Sequence, residues 1–539
     1  MTENDKKTFG IILFAMVLGM VMGVMCAPWF EGGKKGSFGQ GRQEGSLTES
    51  MQALEEIVRD HYVDSIDIDT LSDVVINAIL SQLDPHSYYL SPEVLSKQTE
   101  EMEGVFEGVG MRLYYYGDTV YVSGLFPDSP AEKAGLLPGD KILKVDTVDV
   151  LGTEAAKGGK VVDLIRGPRG TYVDLTVERG GQPRPLTLKA RRNYIFQPTV
   201  MAALMIDKTT GFINIERFGR TTGKEFRLAL EELKGKGMKS LVLDLRGNGG
   251  GSLDAAIDVC NELLPAGDMI LYIEGAHSPR REYRSRGRGL FPEGKLTVMI
   301  DEKSASASEI VAGAIQDNDR GRVAGRRSFG KGLVQGSFEM PGGAMVMLTT
   351  AHYYTPSGRC VQRPYDMGSD SYYSDYFLRL MAENSDVDSM LNTADTTEPY
   401  LTKNGRKVYG GGGIMPDQVL PYMRDSKLVY YNQMANKQVF SECAMDYVHN
   451  HYPELMRRYP DAATFVKNFT VTDALWDVIL AKASAKGIAR DDESIRKYGI
   501  EMRNRFKGHV AQMLYGGDAF YRTIHPYDVD LQRINTLSH

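Results

Sequence analysis

One stretch limits what this chain can fold into more than any other. Leu296-Thr297-Val298-Met299-Ile300 is a short apolar, β-branched run of the kind that forms a buried parallel strand. Asp301 to Ser306 follow, and then Ile310, Val311, Ala314 and Ile315 recur at helical spacing, placing Ser306 near a helix N-terminus. Gly321-Arg322-Val323-Ala324-Gly325 reads as the next strand, and the loop Ser328-Phe329-Gly330-Lys331-Gly332-Leu333-Val334-Gln335 comes after it. In a strand–helix–strand unit the loops that leave both strands lie at one carboxyl edge of the sheet. Ser306 and Lys331 are therefore expected at that edge together.

That pairing permits serine attack with a lysine base. A hydroxyl is a weak nucleophile near neutral pH and needs a neighbour to take its proton. Lysine does this only where an apolar site lowers its pKa. Phe329, Leu333, Val334 and glycines flank Lys331, with no adjacent carboxylate, and Gln335 is placed to orient the ammonium or the hydroxyl as a neutral third member. The same residues have plainer uses. Ser306 with Glu309 fits a helix capping box. Gly325 to Gly332 nearly matches a phosphate-binding loop, except that Gly332 stands where a magnesium-binding Ser or Thr is needed.

Ser304-Ala305-Ser306-Ala307-Ser308-Glu309 together with Phe329-Gly330-Lys331-Gly332-Leu333-Val334-Gln335 resembles the active site of the carboxyl-terminal processing peptidases, the S41 family of serine proteases. The resemblance implies Ser306 as nucleophile, Lys331 as general base and Gln335 as its positioning partner. It matches the acidic helix residue of some members to Asp317 only loosely. It implies an α/β fold: a crotonase-like ββα protease core with an inserted PDZ domain, a helical N-terminal region and a helical C-terminal extension. No cofactor and no metal are expected.

Composition narrows the alternatives. The chain has 539 residues, room for two to four domains, and a net charge of -7 too mild to imply nucleic acid as a partner. Its four cysteines show no paired spacing, and its nine histidines include no HExxH. Thr8 to Phe30 is almost wholly apolar behind Lys6 and Lys7, long enough to span a bilayer, and Met25-Cys26-Ala27 is a poor cleavage site. Residues 1–30 are expected to be an uncleaved inner-membrane anchor, with the bulk of the chain extracytoplasmic, in the periplasm. Residues 31–46, rich in Gly, Ser, Gln and Lys, read as a flexible tether.

Residues 47–103 read as helical, with Met51, Leu54, Ile57 and Val58 on one face and Leu71, Val74, Val75, Ala78 and Ile79 on another. Leu83-Asp84-Pro85-His86-Ser87 ends this region, and His86 is expected to be structural. Residues 104–192 carry Gly108-Val109-Gly110-Met111, Asp128-Ser129-Pro130-Ala131 and Gly139-Asp140-Lys141-Ile142, a set of phrases that resembles a PDZ domain. The turn at Gly108, Val109 and Gly110 aligns backbone N–H groups for a chain-terminal carboxylate. The strand after it offers an edge to an extended peptide, with Met111 and Leu113 lining the side-chain pocket. Arg166 is expected to dock this unit onto the core.

Residues 193–424 read as the peptidase core. Leu241-Val242-Leu243-Asp244-Leu245-Arg246 is a buried strand running into Gly247-Asn248-Gly249-Gly250-Gly251, with a helix from Ser252. By the resemblance, the N–H of Gly250 or Gly251, with that of Ala307, forms an oxyanion hole, while Asp244 and Arg246 brace the loop. Val334 to Tyr354 alternates about Pro341-Gly342-Gly343 as a hairpin, and Asp366 to Tyr400 reads as a solvated insertion or lid. Ser357 and Cys360 have no base at usable spacing. Residues 425–539 read as helical, with Ala474, Leu475, Val478 and Ile479 lining one face and Ile495, Tyr498, Met502 and Phe506 another. They are expected to form a packing module or a homo-oligomer contact.

The expected function is a membrane-anchored serine endopeptidase that captures unstructured protein carboxyl termini through its PDZ domain and cleaves the chain. The competing expectation is a non-catalytic PDZ scaffold on a protease-like fold.

Overall fold

The computed structural model describes residues 46–383 except 158, then 399–422 and 425–536. The expected anchor and nearly all of the tether lie outside these residues, as does the middle of the insertion. The chain divides into one unit up to Ser72 and a second from Asp73. The first holds the helix Leu47–His61, opened by a capping box in which Ser46 Oγ accepts the Glu49 N–H and Glu49 Oε2 accepts the Ser46 N–H. Leu54 and Ile57, on its expected apolar face, are exposed. Among the described residues no helix is long and apolar enough to cross a membrane.

The helical region does not run unbroken to residue 103. After the helix Ile68–Leu80, Asp84 Oδ1 accepts the N–H groups of His86 and Ser87, making a turn that Pro85 reinforces. The strand Tyr88–Leu90 follows, antiparallel to Met345–Tyr354 with Tyr88 opposite Met347. This strand joins a five-stranded sheet with Leu333–Glu339, Met269–Gly275 and Ser278–Arg284. The expected hairpin is present, as Leu333–Glu339 pairs antiparallel with Met345–Tyr354.

A second, six-stranded sheet runs in the order Val200–Met205, Thr210–Ile215, Ser240–Asp244, Lys295–Ile300, Arg322–Gly325, Gln418–Val419, parallel throughout except for its first strand. Alternation along each strand splits its side chains between two cores. Ile213, Leu243, Val298 and Ile300 face the helices Thr222–Gly235, Leu253–Leu263 and Ala307–Asp317. Phe212, Val242, Met299 and Ala324 face the other way, where Leu531 and Ile534 of the helix Val529–Thr536 cover them. The C-terminal extension thus closes the second face of the catalytic sheet.

Residues 111–191 form a separate six-stranded sheet with Met111–Tyr116 at one edge. This unit is tethered by a short antiparallel pair, Val105–Gly108 with Asn193–Phe196. Its back also rests on the C-terminal helices. Tyr121 belongs to their apolar core, Lys482 Nζ donates to the Tyr116 hydroxyl at 2.6 Å, and the Gly139 carbonyl lies 2.7 Å from His449 Nδ1.

In the helix Asp473–Ala485 the buried residues are Trp476, Ile479, Leu480 and Ala483, whereas Ala474 and Val478 are exposed. The expected face is right for Ile479 and for Leu475, which packs against the core, and wrong for Ala474 and Val478, because Trp476, the largest apolar side chain there, turns its own side inward. The second expected face is correct for Tyr498, Met502 and Phe506, with Ile495 partly buried.

A methyl group on Gly180 would lie 1.7 Å from the His449 carbonyl oxygen. Gly180→Ala should therefore lower the stability of the docked assembly by about 1–3 kcal/mol, read as a lower urea midpoint. An unchanged midpoint would show that this contact opens freely.

Candidate active site

Three strands of the six-stranded sheet end at one carboxyl edge, and the three loops that leave them build the site. Asp301 sets the first turns: its Oδ1 accepts the N–H groups of Gly247, Lys303 and Ser304. Asn248 is fully buried and ties the glycine loop to the serine loop. Its carbonyl accepts the Ala305 N–H at 3.0 Å and the Ser308 hydroxyl at 2.9 Å, while its Nδ2 donates to the Ile215 carbonyl at 2.8 Å.

Ser306 follows at the N-cap of the helix Ala307–Asp317 with φ 53° and ψ -111°. This conformation is costly for a residue with a Cβ, by about 1–3 kcal/mol, and persists only where its surroundings enforce it. The enforcing group is Glu309. Its carboxylate is buried and accepts four hydrogen bonds: Oε2 from the amides of Ser306 (2.8 Å) and Lys331 (2.9 Å), Oε1 from the Gly330 amide (2.7 Å) and the Ser328 hydroxyl (2.5 Å). One oxygen holds both amides, so the backbones of Ser306 and Lys331 approach within about 6 Å. Burial raises the Glu309 pKa, and the four donors oppose that rise. The half of the capping box made by the Glu309 side chain is present; Glu309 also reaches the loop 328–331, which local sequence does not reveal.

Lys331 Nζ donates to Gln335 Oε1 at 3.1 Å, and Gln335 Nε2 donates to the His86 carbonyl. The Gln335 amide is thereby oriented with its oxygen toward the lysine. Burial lowers the Lys331 pKa, with Asp84 and Glu309 acting weakly in the other direction. Burial, then the nearby Lys331, also lowers His86 to about 4, so its ring is neutral at physiological pH. Its Nε2 lies 3.1 Å from the Tyr372 hydroxyl. His86 thus borders the site and contributes its carbonyl.

Tyr372 belongs to the helix Ser369–Glu383 and is 2 % exposed, packed against His86 and under the Arg363 guanidinium. The near half of the insertion is therefore docked, contrary to a wholly solvated segment. Its tyrosines supply the contact, Tyr372 against His86 and Tyr373 through its hydroxyl to the Pro85 carbonyl.

Gly250 lies beside Ser306, and Gly251 lies against the Phe218 backbone. A Cβ on Gly250 would fall 2.8 Å from Ser306 Cβ and 3.1 Å from the Ala307 nitrogen. The Gly250 N–H already donates to Asn248 Oδ1 at 2.8 Å. Among the described residues no acceptor takes the N–H of Gly251 or of Ala307. The open donor pair is Gly251 with Ala307.

Asp317 sits at the far end of the helix, about 16 Å from Ser306. It is fully buried in a pair with Arg359 at 2.7 Å and accepts the Ser357 hydroxyl at 2.6 Å. It holds structure and does not reach Ser306. Cys360 does have a histidine beside it, His352 Nδ1 at 3.8 Å from Sγ, because the strand carrying His352 lies against the turn that returns through Cys360. Burial raises that thiol, the reverse of activation. Arg246 bonds Asp244 as expected, and Asp528 of the C-terminal extension as well.

A cavity of about 520 Å³ lies between the edge strand Met111–Tyr116 and the helix Lys160–Ile165. Gly108, Val109, Gly110, Met111 and Leu113 all line it. Arg166 stacks on Phe106 of the tether, 4.9 Å from the ring centre. Among the described residues no group of acidic, His and Cys side chains is arranged to hold a metal ion.

The chain that builds this site, with a strained serine and a half-buried lysine at one sheet edge, is similar in sequence to known proteins. Residues 209–368 match Peptidase family S41, residues 121–179 match the PDZ domain, and residues 430–516 match a family of unknown function, DUF8443. The chain is 35% identical over 311 residues to a carboxy-terminal-processing protease of Bartonella bacilliformis, spanning 57% of this chain and 70% of that one. It is 33% identical over 317 residues to carboxy-terminal processing protease CtpA of Bacillus subtilis, spanning 58% and 66%. Among solved structures, a photosystem II D1 C-terminal processing protease aligns with 27% identity and a TM-score of 0.35, covering 69% of this chain and 87% of that one. The chain belongs to peptidase family S41, as a serine-type carboxy-terminal processing protease carrying a PDZ domain.

Replacing Glu309 by Gln turns an amide nitrogen toward N–H donors that now meet carboxylate oxygen. Glu309→Gln should lose about 2–4 kcal/mol of stability and at least about a hundredfold in peptide cleavage, by denaturant titration and initial rates. Full activity in this variant would show that Glu309 does not hold the site together.

Proposed function

We propose that this chain is a membrane-anchored, extracytoplasmic serine endopeptidase in which Ser306 is the nucleophile, Lys331 the general base and Gln335 its positioning partner. The observation that carries this reading is the single Glu309 oxygen that accepts the amides of both Ser306 and Lys331. Two loops separated by a helix are drawn to one point, and one bears a strained serine while the other bears a lysine of lowered pKa.

In this mechanism Ser306 Oγ attacks a peptide carbonyl while Lys331 Nζ, neutral, takes its proton. The new Lys331 ammonium keeps its bond to Gln335 Oε1 and delivers the proton to the leaving amine. The N–H groups of Gly251 and Ala307 stabilise the oxyanion, and Gly250 acts through its lack of a side chain. A water then hydrolyses the acyl-enzyme, with Lys331 again as base. The PDZ unit captures a protein carboxyl terminus by strand addition at Met111–Tyr116, with the terminal carboxylate on the Gly108 to Met111 turn.

Ser306→Ala and Lys331→Ala in the full chain should each reduce cleavage of an unstructured protein about a thousandfold or more while leaving the fold intact. In wild type, cleavage should rise with pH as Lys331 loses its proton, with a midpoint below the ordinary lysine value of 10.5. Persistent activity in Lys331→Ala would sink the assignment of the base. Inert wild type that still binds peptides would restore the scaffold reading.

The anchor reading rests on the apolar run from Thr8 to Phe30 behind two lysines. Full-length protein should remain with the membrane through an alkaline carbonate wash, and deletion of residues 1–30 should release it. Release of the full-length chain by the wash would exclude an integral anchor.

A further inference from the structure

The peptide cavity is not built by the PDZ unit alone. Met201 and Glu216 of the core and Gln512 of the C-terminal helix Asp492–Tyr515 also line it. Where these walls meet stands Arg112, the second residue of the edge strand. It is half-buried, and its guanidinium lies 5.0 Å from the centre of the Phe126 ring. It faces Gly124 across the strand pair, so no side chain opposite fills the space beside it. A second cavity of about 390 Å³ borders the same Arg112, Phe126, Met201 and Gln512.

Among the described residues, Arg112 has no hydrogen-bond acceptor and no carboxylate within ion-pair distance. Glu216 acts on it only at longer range and is itself exposed to water. A guanidinium has five donors and no acceptor, and removing it from water without a partner is unfavourable. Arg112 therefore lines the ligand cavity half-buried over the Phe126 ring, with guanidinium donors that no protein acceptor takes. Burial accordingly lowers its pKa.

Strand geometry says which part of a bound tail meets it. Side chains alternate along Met111–Tyr116: Met111 and Leu113 pack toward the apolar cluster of Val109, Val161 and Ile165, and Arg112 points to the opposite side. A peptide added along this edge alternates in the same way. With its carboxylate on the Gly108 to Met111 turn, its last side chain enters the apolar pocket, and the side chain before that emerges on the Arg112 side.

We propose that Arg112 is a specificity-determining residue that pairs with an acidic side chain at the penultimate position of the captured carboxyl terminus. A carboxylate matches the guanidinium fork, an apolar side chain leaves it unsatisfied, and a lysine adds a like charge. The inference rests on the PDZ unit capturing carboxyl termini, as proposed above.

The test uses the full chain carrying Ser306→Ala, so that bound peptides are not cut. Fluorescence anisotropy would compare peptides that end in the same apolar residue and differ only in Glu, Ala or Lys before it, each with a free or an amidated terminus. The Glu peptide should bind about tenfold more tightly than the Ala peptide, and the Lys peptide more weakly than either. Arg112→Ala should bring the Glu peptide to the level of the Ala peptide, and Arg112→Glu should reverse the order so that Lys leads. Equal affinities for the three peptides, or a preference for acid at another position only, would overturn the role of Arg112 while leaving tail capture in place. Binding unaffected by amidation, or no binding of any free-terminus peptide, would overturn the capture reading and this inference with it.

Discussion

The Glu309 carboxylate is the interaction on which the catalytic architecture depends. Removing a carboxylate from water costs several kcal/mol, and only a full set of donors makes it tolerable. Here the donors are the amides of Ser306, Gly330 and Lys331 and the Ser328 hydroxyl. They come from both sides of an intervening helix and strand, so the charge is satisfied only when both loops are in place. A left-handed serine is held in the same way. The local strain at Ser306 is small beside the cost of leaving that carboxylate with its partners withdrawn.

The roots of the same loops are braced from outside the family's catalytic segment. Arg246, at the start of the glycine loop, bonds Asp244 and Asp528, while Arg326, ahead of the lysine loop, bonds Glu302 and Asp530. Asp528 immediately precedes, and Asp530 lies in the first turn of, the helix whose Leu531 and Ile534 cover the sheet. The C-terminal extension is thus both a hydrophobic cover and an electrostatic brace for the catalytic edge. The middle of that extension, the part matching a family of unknown function, supports the PDZ unit.

Legibility in the sequence followed the range of the interactions. Ser306, Lys331 and Gln335 could be picked out because strand–helix–strand chirality dictates where their loops go, and Lys331 to Gln335 is a short-range step. The cavity residues from Gly108 to Leu113 were legible for a similar reason, since a turn and its strand are contiguous. Glu309 was recognised only as a cap, because its reach to residues 328–331 is a tertiary contact. Asn248 carries no signal within its glycine run, yet its amide oxygen takes the Gly250 N–H through the fold of the loop. The pairing of Cys360 with His352 was invisible to spacing arguments, and a face containing Val478 was chosen where Trp476 decides the burial.

The backbone contact between Gly180 and His449, which leaves no room for a methyl group, has a consequence for how a substrate is measured. The PDZ unit is held at its tether and along its back, so its peptide groove stands at a set distance from Ser306. An extended chain advances about 3.3–3.6 Å per residue. On the proposed mode of capture, in which the PDZ unit grips a substrate by its carboxyl end, such a framework works as a ruler. The site of cutting is then counted off from the carboxyl terminus in residues, and neighbouring sequence has only to be unfolded enough to lie along the scale.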